Sequence, residues 1–306
     1  MQWPEGRRFA FTIFDDPDSQ TRKTGVAVYS FLADCALLTT KGVWPNAPHG
    51  TPSDHGETCG SAGYIDWLLT LQRRGVEIGY HNATSHTSDR LRTEHGLHEF
   101  ARLFGHYPAT MSNHYFCQEG IYFTEHRLTG PYRILYKALT LGRRRNLSFG
   151  HVEGHPLFWG DLCRRYVRFV RNFTYADVNT LSVCPAMPYH DPRRPWVNFW
   201  YASTEASNIA TFTSRVTEAA IDRLEAEGGA CILYVHFGHD YAPDGKLDPG
   251  FREAIRRISR RNGWFVPVGT LLDYLREHRP RTEITDAERA SMERRWLWHR
   301  IRFGST

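Results

Sequence analysis

The sequence contains no long apolar run. A membrane-spanning helix needs about 18 consecutive apolar residues, and no such stretch occurs among the 306 residues. The segment from Met1 to Arg8, before the first predicted strand, also lacks the apolar core of a signal peptide. We therefore expect a cytoplasmic protein with no transmembrane segment.

The sequence also has no closely spaced cysteine pair and only a small net charge. The six cysteines are scattered and include no Cys-x-x-Cys pair, so a zinc ribbon or redox motif has no support, and we expect most of them to be reduced and buried. The formal net charge is only +5, and the arginine clusters lie apart from one another. No nucleic-acid partner is expected.

Strand and helix patterns alternate along the chain. The apolar segment 11–14 predicts a buried strand, and the alternation after it predicts an α/β protein with a parallel sheet. The chain length fits one large domain, such as a β/α barrel. The predicted helices are 24–38, 61–74, 89–104, 157–169, 209–227, 248–261 and 268–277; the further predicted strands are 41–44, 76–81, 109–113, 230–235 and 264–266, and 184–200 is predicted to be an ordered loop.

The first strand ends in three closely spaced carboxylates. Asp15, Asp16 and Asp18 repel one another, so a cation, a positively charged side chain or a shared proton should offset their charge. The alternative is a loop whose Asp-Pro-Asp sequence only caps the next element.

Two other predicted strands end in histidine. His81 ends the third strand, with His86 five residues later, and His236 follows the strand 230–235. Two imidazoles and one carboxylate are a common ligand set for zinc or a similar divalent ion. A second carboxylate can act as a base and a histidine as an acid, so the pattern predicts a metal-dependent hydrolase.

These motifs resemble, in the same order, those of the NodB-type polysaccharide deacetylases. The resemblance rests on residues 11–16, on 77–81 with His86, on 232–236 and on 264–268. It implies a distorted (β/α)7-type barrel, here a single domain over residues 1–279. It also implies a hydrolase that removes an N- or O-acyl group from an acylated sugar or glycoconjugate.

The resemblance also implies roles for individual residues. Asp15 would be the general base and His236 the general acid. Asp16, His81 and His86 would bind a divalent ion, which we expect to be zinc, with cobalt, nickel and manganese as alternatives.

The chain departs from the family pattern in three places. His81 and His86 are one residue farther apart than the family's usual H-x-x-x-H spacing. The arginine that usually orients the base is absent after the Gly-x-x-Pro turn, where Asn113 and His114 are predicted to line the substrate site. His114 is therefore an alternative ligand, and the nearby Asp18 is a candidate to orient a ligand or to bind the ion itself.

Further substrate contacts are predicted in two aromatic segments. Trp159, His190 and Arg193 combine a ring, an imidazole and a charge, which suits sugar recognition. The alternative for the loop 189–196 is a purely structural loop ordered by its prolines.

Residues 280–306 form a basic, tryptophan-rich tail. Thr285 and Glu288 predict a capping box at the start of a helical extension. We expect this helix to pack back on the barrel. The alternatives are a contact with a partner subunit, including a second copy of the chain, or with an anionic membrane surface.

Two other function classes stay open. The same barrel without a metal would be a carbohydrate-binding or scaffold protein. A glycoside hydrolase would use a carboxylate pair and no metal, and a chelator would not affect it.

Overall fold

Parallel strands form the centre of the computed structural model, which describes residues 1–52, 54–115, 117–140, 148–279 and 281–303. The strands in these residues are β1 (Phe9–Asp15), β2 (Thr40–Val43), β3 (Glu77–Tyr80), β4 (Thr110–Met111), β5 (Phe169–Tyr175), β6 (Phe199–Glu205), β7 (Ala230–Val235) and β8 (Gly263–Trp264). Because β1 pairs with both β7 and β2, the first seven strands close into a barrel. β8 pairs with the start of β1.

Helices surround this barrel. They are α1 (Arg22–Asp34), α2 (Ala62–Arg73), α3 (Arg90–Phe104), α4 (Gly130–Leu139), α5 (Gly160–Tyr166), α6 (Thr180–Val183), α7 (Ile209–Arg215), α8 (Glu218–Ala226), α9 (Pro249–Ser259), α10 (Val268–Glu277) and α11 (Asp286–Phe303). The prediction of a single-domain (β/α)7-type barrel with a C-terminal helix is confirmed. Since the strands are parallel, the residues that follow them gather at one mouth of the barrel.

Three predicted elements differ from the structure by more than the exact position of their ends. The helix predicted over 157–169 is shorter, and β5 starts where it was expected to end. The loop predicted over 184–200 continues into β6. The helix predicted over 209–227 is two helices, because the Thr217 side chain accepts a hydrogen bond from the Ala220 amide (3.3 Å) and begins α8.

The C-terminal helix α11 packs against α4 and β5. Its predicted capping box is confirmed: the Thr285 amide donates to Glu288 at 2.7 Å, and the Glu288 amide donates to the Thr285 hydroxyl at 3.2 Å. Trp296 is buried, and its ring centroid lies 5.8 Å from that of Phe173 in β5. Residues 280 and 304–306 of the predicted tail lie outside the described residues. Within those residues, no helix is both long and apolar enough to cross a bilayer.

Buried charges attach α11 to the loop before β6. Arg289 binds Asp191 (2.6 Å), and Arg194 binds both Asp191 and Glu293, the latter at 3.0 Å. Glu293 also accepts a hydrogen bond from the Thr129 amide (3.0 Å). Because Asp191 and Glu293 are fully buried, loss of one partner would leave an uncompensated charge in the interior.

We predict that Glu293→Gln lowers the free energy of unfolding by ~3 kcal/mol, because a buried guanidinium then loses one of its carboxylates. Urea denaturation measures this change. The control Glu253→Gln removes a carboxylate from an exposed pair with Arg257 (3.5 Å) and should cost less than ~1 kcal/mol. Equal costs for the two variants would contradict the role of the network.

Candidate metal centre and active site

Asp16 lies inside the barrel mouth, directly after β1. Its carboxylate accepts hydrogen bonds from Arg171 Nη2 (2.6 Å) and Nη1 (3.3 Å) on β5, and from Ser112 Oγ (2.7 Å) after β4. Burial raises the pKa of Asp16, but the Arg171 charge, together with the neighbouring His81 and His236 rings, outweighs burial, so the pKa lies below its ordinary value. Asp16 is therefore an ionised carboxylate in a fixed position.

Asp18 faces three imidazoles. Its Oδ2 atom lies 3.3 Å from His81 Nε2 and 3.6 Å from His236 Nε2, and its Oδ1 atom lies 3.2 Å from His114 Nε2. Burial raises the pKa of Asp18, but the neighbouring His236, His114 and His81 rings hold it well below the ordinary value. The carboxylate is ionised and lies between rings from different loops.

A hydrogen-bond chain fixes the protonation of His81. The Ser112 hydroxyl lies 2.6 Å from His81 Nδ1 and donates its proton to the ionised Asp16, so it must accept a proton from Nδ1. Burial lowers the pKa of His81 and outweighs the nearby carboxylates, which favours the neutral ring. The Nε2 atom of His81 therefore presents a lone pair to Asp18.

Two acceptors then face each other without a proton between them. In the part of the chain that is described, His81 Nε2 and Asp18 Oδ2 are buried and have no hydrogen-bond partner. Buried polar atoms of this kind usually have one. A divalent cation would satisfy both atoms, and one carboxylate with two imidazoles is a donor set that suits zinc. Two groups of described residues have ligand atoms close enough to hold an ion: Asp18, His81 and His114, and Asp16, Asp18 and His236.

The turn after His81 brings the second imidazole into place. Asn82 has a φ of 62°, in the left-handed region that asparagine tolerates better than most residues. Its side chain accepts a hydrogen bond from the His114 amide (2.8 Å) and donates one to Glu119 (3.0 Å). Burial raises the pKa of Glu119 to about 7. The two histidine loops are thus tied together through one side chain.

His236 lies across the mouth from these loops. Its Nε2 atom is 2.9 Å from the Tyr234 hydroxyl and 4.0 Å from Asp16 Oδ2, and its Nδ1 atom is 3.3 Å from the Ser207 carbonyl oxygen. The Arg171 guanidinium lies over the Tyr234 ring, 4.1 Å from its centroid. The His236 ring therefore faces the carboxylates of both Asp16 and Asp18.

Asp15, the predicted general base, lies among protein donors. Its Oδ2 atom contacts Lys41 Nζ (3.2 Å), Gln20 Nε2 (3.0 Å) and the Tyr29 hydroxyl (3.0 Å), and its Oδ1 atom accepts a hydrogen bond from the Phe237 amide (2.9 Å). Asp15 and Lys41 are both fully buried. Oδ2 therefore has three protein partners and Oδ1 has one, and the carboxylate is held in the interior by all four.

His86 does not reach the centre. Its Nε2 atom accepts a hydrogen bond from the His49 amide (3.1 Å), and the two rings lie 4.1 Å apart. The longer spacing from His81 places it in a surface loop, and His114 lies beside Asp18 instead. Of the alternatives that the sequence left open, the structure brings together His114 and Asp18.

The other predicted substrate contacts have structural partners. Trp159 is fully buried and donates to the Glu119 carbonyl oxygen (2.6 Å). Asn113 exchanges two hydrogen bonds with the backbone of Ile121. His190 accepts from and donates to the segment before α11 through its backbone, and Arg193 binds the exposed Asp286 (2.6 Å). None of these four places a donor at the cluster around Asp18.

Sequence reasoning missed Arg171 and Ser112. Arg171 supplies the charge that the Gly-x-x-Pro turn lacks, but it comes from β5, a strand that was not predicted. The signal was present: residues 169–175 are mostly aromatic or β-branched around a single arginine, as in a strand with one polar residue turned inward.

Comparison with solved structures finds similar architectures in bacterial proteins. A Mycobacterium smegmatis protein described as a polysaccharide deacetylase is 13% identical and has a TM-score of 0.53, over 93% of this chain and 96% of that one. The chain has the fold of that protein. At this identity the likeness shows the fold alone.

Two further matches have lower TM-scores and add nothing to that assignment. A polysaccharide deacetylase from Bacillus cereus is 12% identical, with a TM-score of 0.35 over 85% of this chain and 92% of that one. A Bordetella bronchiseptica protein described as a polysaccharide deacetylase is 15% identical, with a TM-score of 0.40 over 90% of this chain and 94% of that one. No family model and no curated protein matches the sequence.

We predict that zinc binding depends on His114 and not on His86. His114→Ala and Asp18→Asn each remove one ligand from the group of Asp18, His81 and His114. Each variant should lower the zinc content of the purified protein from about one ion per chain to near zero. His86→Ala is the matched control and should keep the ion. Elemental analysis of untagged protein measures this, and zinc loss in His86→Ala with retention in His114→Ala would contradict it.

Proposed function

We propose that the protein is a metal-dependent hydrolase that removes an acyl group from a sugar or glycoconjugate. One observation carries the proposal: at the barrel mouth, a lone pair of His81 faces an ionised oxygen of Asp18 at 3.3 Å, with neither atom bound to a donor among the described residues. The likeness to a described polysaccharide deacetylase supports the choice of reaction.

The proposed metal ligands are Asp18, His81 and His114. This set replaces Asp16 and His86 of the set expected from the sequence. A divalent ion held there, zinc by its donor set, supplies Lewis acidity toward a carbonyl oxygen and makes water a stronger acid.

Asp16 is the proposed general base. Its pKa is held below the ordinary value, so it is unprotonated at neutral pH and can take a proton from an attacking water. Arg171 and Ser112 hold its oxygens in place, which removes the entropy cost of orienting the base. Arg171 would thus do the work of the arginine that the family carries elsewhere.

His236 is the proposed general acid. Its Nε2 atom lies 4.0 Å from Asp16 Oδ2, so the base and the acid border the same space. As the acyl carbon–nitrogen or carbon–oxygen bond breaks, a proton from His236 would neutralise the leaving group. The Tyr234 hydroxyl and the Ser207 carbonyl oxygen orient the ring.

We predict that Asp16→Asn keeps its zinc and loses acyl hydrolysis by about 10²- to 10⁴-fold, because the base is lost while the proposed ligands remain. Acetate release from 4-nitrophenyl acetate and from N-acetylated sugars measures the activity, and elemental analysis measures the zinc. Asp161→Asn, in an exposed pair with Arg90, is the control and should be fully active.

Chelation provides the second arm of this experiment. Stripped protein should be inactive and recover with added zinc. Activity that survives chelation would contradict the metal-dependent mechanism. Full activity of Asp16→Asn, with loss of activity in Asp15→Asn at an unchanged melting temperature, would contradict the proposed base and restore Asp15 to that role.

A further inference from the structure

Arg127 is a buried cation beside the barrel mouth. It ends the short 3-10 helix Thr124–Arg127, in the connection that follows β4, and is only 7% exposed. Its guanidinium carbon lies 4.1 Å from the centroid of the Phe123 ring and 5.6 Å from that of Trp296. A buried arginine normally has a carboxylate partner, because burial of an unpaired charge is costly.

The neighbouring carboxylates are bound to other cations. Glu125 binds Arg133 at 2.9 Å, and Glu293 binds Arg194 at 3.0 Å. Among the described residues, no carboxylate forms an ion pair with Arg127, and its Nε atom is buried without a hydrogen-bond partner. The aromatic contacts compensate only part of the charge, since a cation–π interaction contributes roughly 0.5–2 kcal/mol.

Arg127 lies in the connection that follows β4, on the side of the barrel where the residues after the parallel strands gather. Burial lowers the pKa of Arg127 to about 10; Tyr136 raises it, the Arg171 charge lowers it, and Tyr234 and Glu205 raise it. Arg171 is the residue that binds Asp16 (2.6 Å), and the Tyr234 hydroxyl is 2.9 Å from His236. The charge of Arg127 therefore interacts with residues that contact the proposed base and the proposed acid.

The guanidinium groups of Arg171 and Arg127 differ in how their positive charge is neutralised. Arg171 has Asp16 as a direct partner, which raises its pKa above the ordinary value despite burial. In the described part of the chain, no carboxylate forms a direct ion pair with Arg127, and its charge is attracted by Tyr136, Tyr234 and Glu205 without such a contact. Arg127 therefore leaves an unneutralised positive charge at this side of the mouth.

We infer that Arg127 binds an anionic group of the substrate, so that the substrate is a sugar carrying a carboxylate or a phosphate in addition to its acyl group. A guanidinium donates two parallel hydrogen bonds to either group. The Phe123 ring covers one face of the Arg127 guanidinium, and 7% of the residue's surface stays exposed. The inference rests on the proposed function for the identity of the substrate as a sugar.

Three sugars that differ only at C6 test this inference. N-acetylglucosamine is neutral there, N-acetylglucosaminuronic acid has a carboxylate, and N-acetylglucosamine 6-phosphate has a phosphate. Calorimetric titration of zinc-loaded protein should show tighter binding of one or both anionic sugars, by ~10- to 100-fold, the value of a charged hydrogen-bonded contact. The sugar with the larger preference identifies the anion.

Two variants and one control separate recognition from folding. Arg127→Met should remove the preference and leave the binding of the neutral sugar unchanged, whereas Arg127→Lys, which keeps the charge, should retain part of it. Arg133→Met removes a nearby cation that binds Glu125 and should keep the full preference.

Several results would overturn the inference. They are equal binding of all three sugars, no detectable binding of either anionic sugar, an unchanged preference in Arg127→Met, and equal losses in Arg127→Met and Arg133→Met. Acetate release in the same samples tests the proposed function separately. Arg127-dependent binding without acetate release would contradict the proposed hydrolase function and support the anion site. Hydrolysis of the neutral sugar without any preference for an anionic sugar would support the hydrolase function and contradict the anion site.

Discussion

Charge compensation at the end of β1 is the constraint on which the rest of the site depends. Three carboxylates lie within four residues, and each of them contacts a different positively charged or imidazole partner. Asp15 turns outward to the buried Lys41, Asp16 turns inward to Arg171, and Asp18 lies among imidazoles. Because the partners come from different strands, this short segment also ties the barrel together at its mouth.

The partner determines the role proposed for each carboxylate. Asp15 is surrounded by protein donors, and we propose that it stabilises the fold. Asp16 is held ionised by a guanidinium, and we propose it as the base; Asp18 has an oxygen that faces the lone pair of an imidazole, and we propose it as a ligand. A comparison of the charge partners of the two buried arginines leads to the proposed anion site, since Arg171 has a carboxylate partner and Arg127 does not.

Much of this arrangement could be predicted from the sequence, and the limits have physical reasons. The apolar runs before Asp15, His81 and His236 predicted their strands, because a buried parallel strand has a simple pattern. β5 was missed because Arg171 and an asparagine interrupt its pattern. Linear spacing also could not distinguish His86 from His114, since the choice depends on a left-handed turn in the backbone.

Anomalous diffraction at the zinc absorption edge, from crystals of zinc-loaded protein, tests the central claim most directly. The account predicts one peak about 2.0–2.2 Å from a carboxylate oxygen of Asp18 and from Nε2 of both His81 and His114. A peak beside His86, or no peak at the barrel mouth in protein that is fully folded, would contradict it.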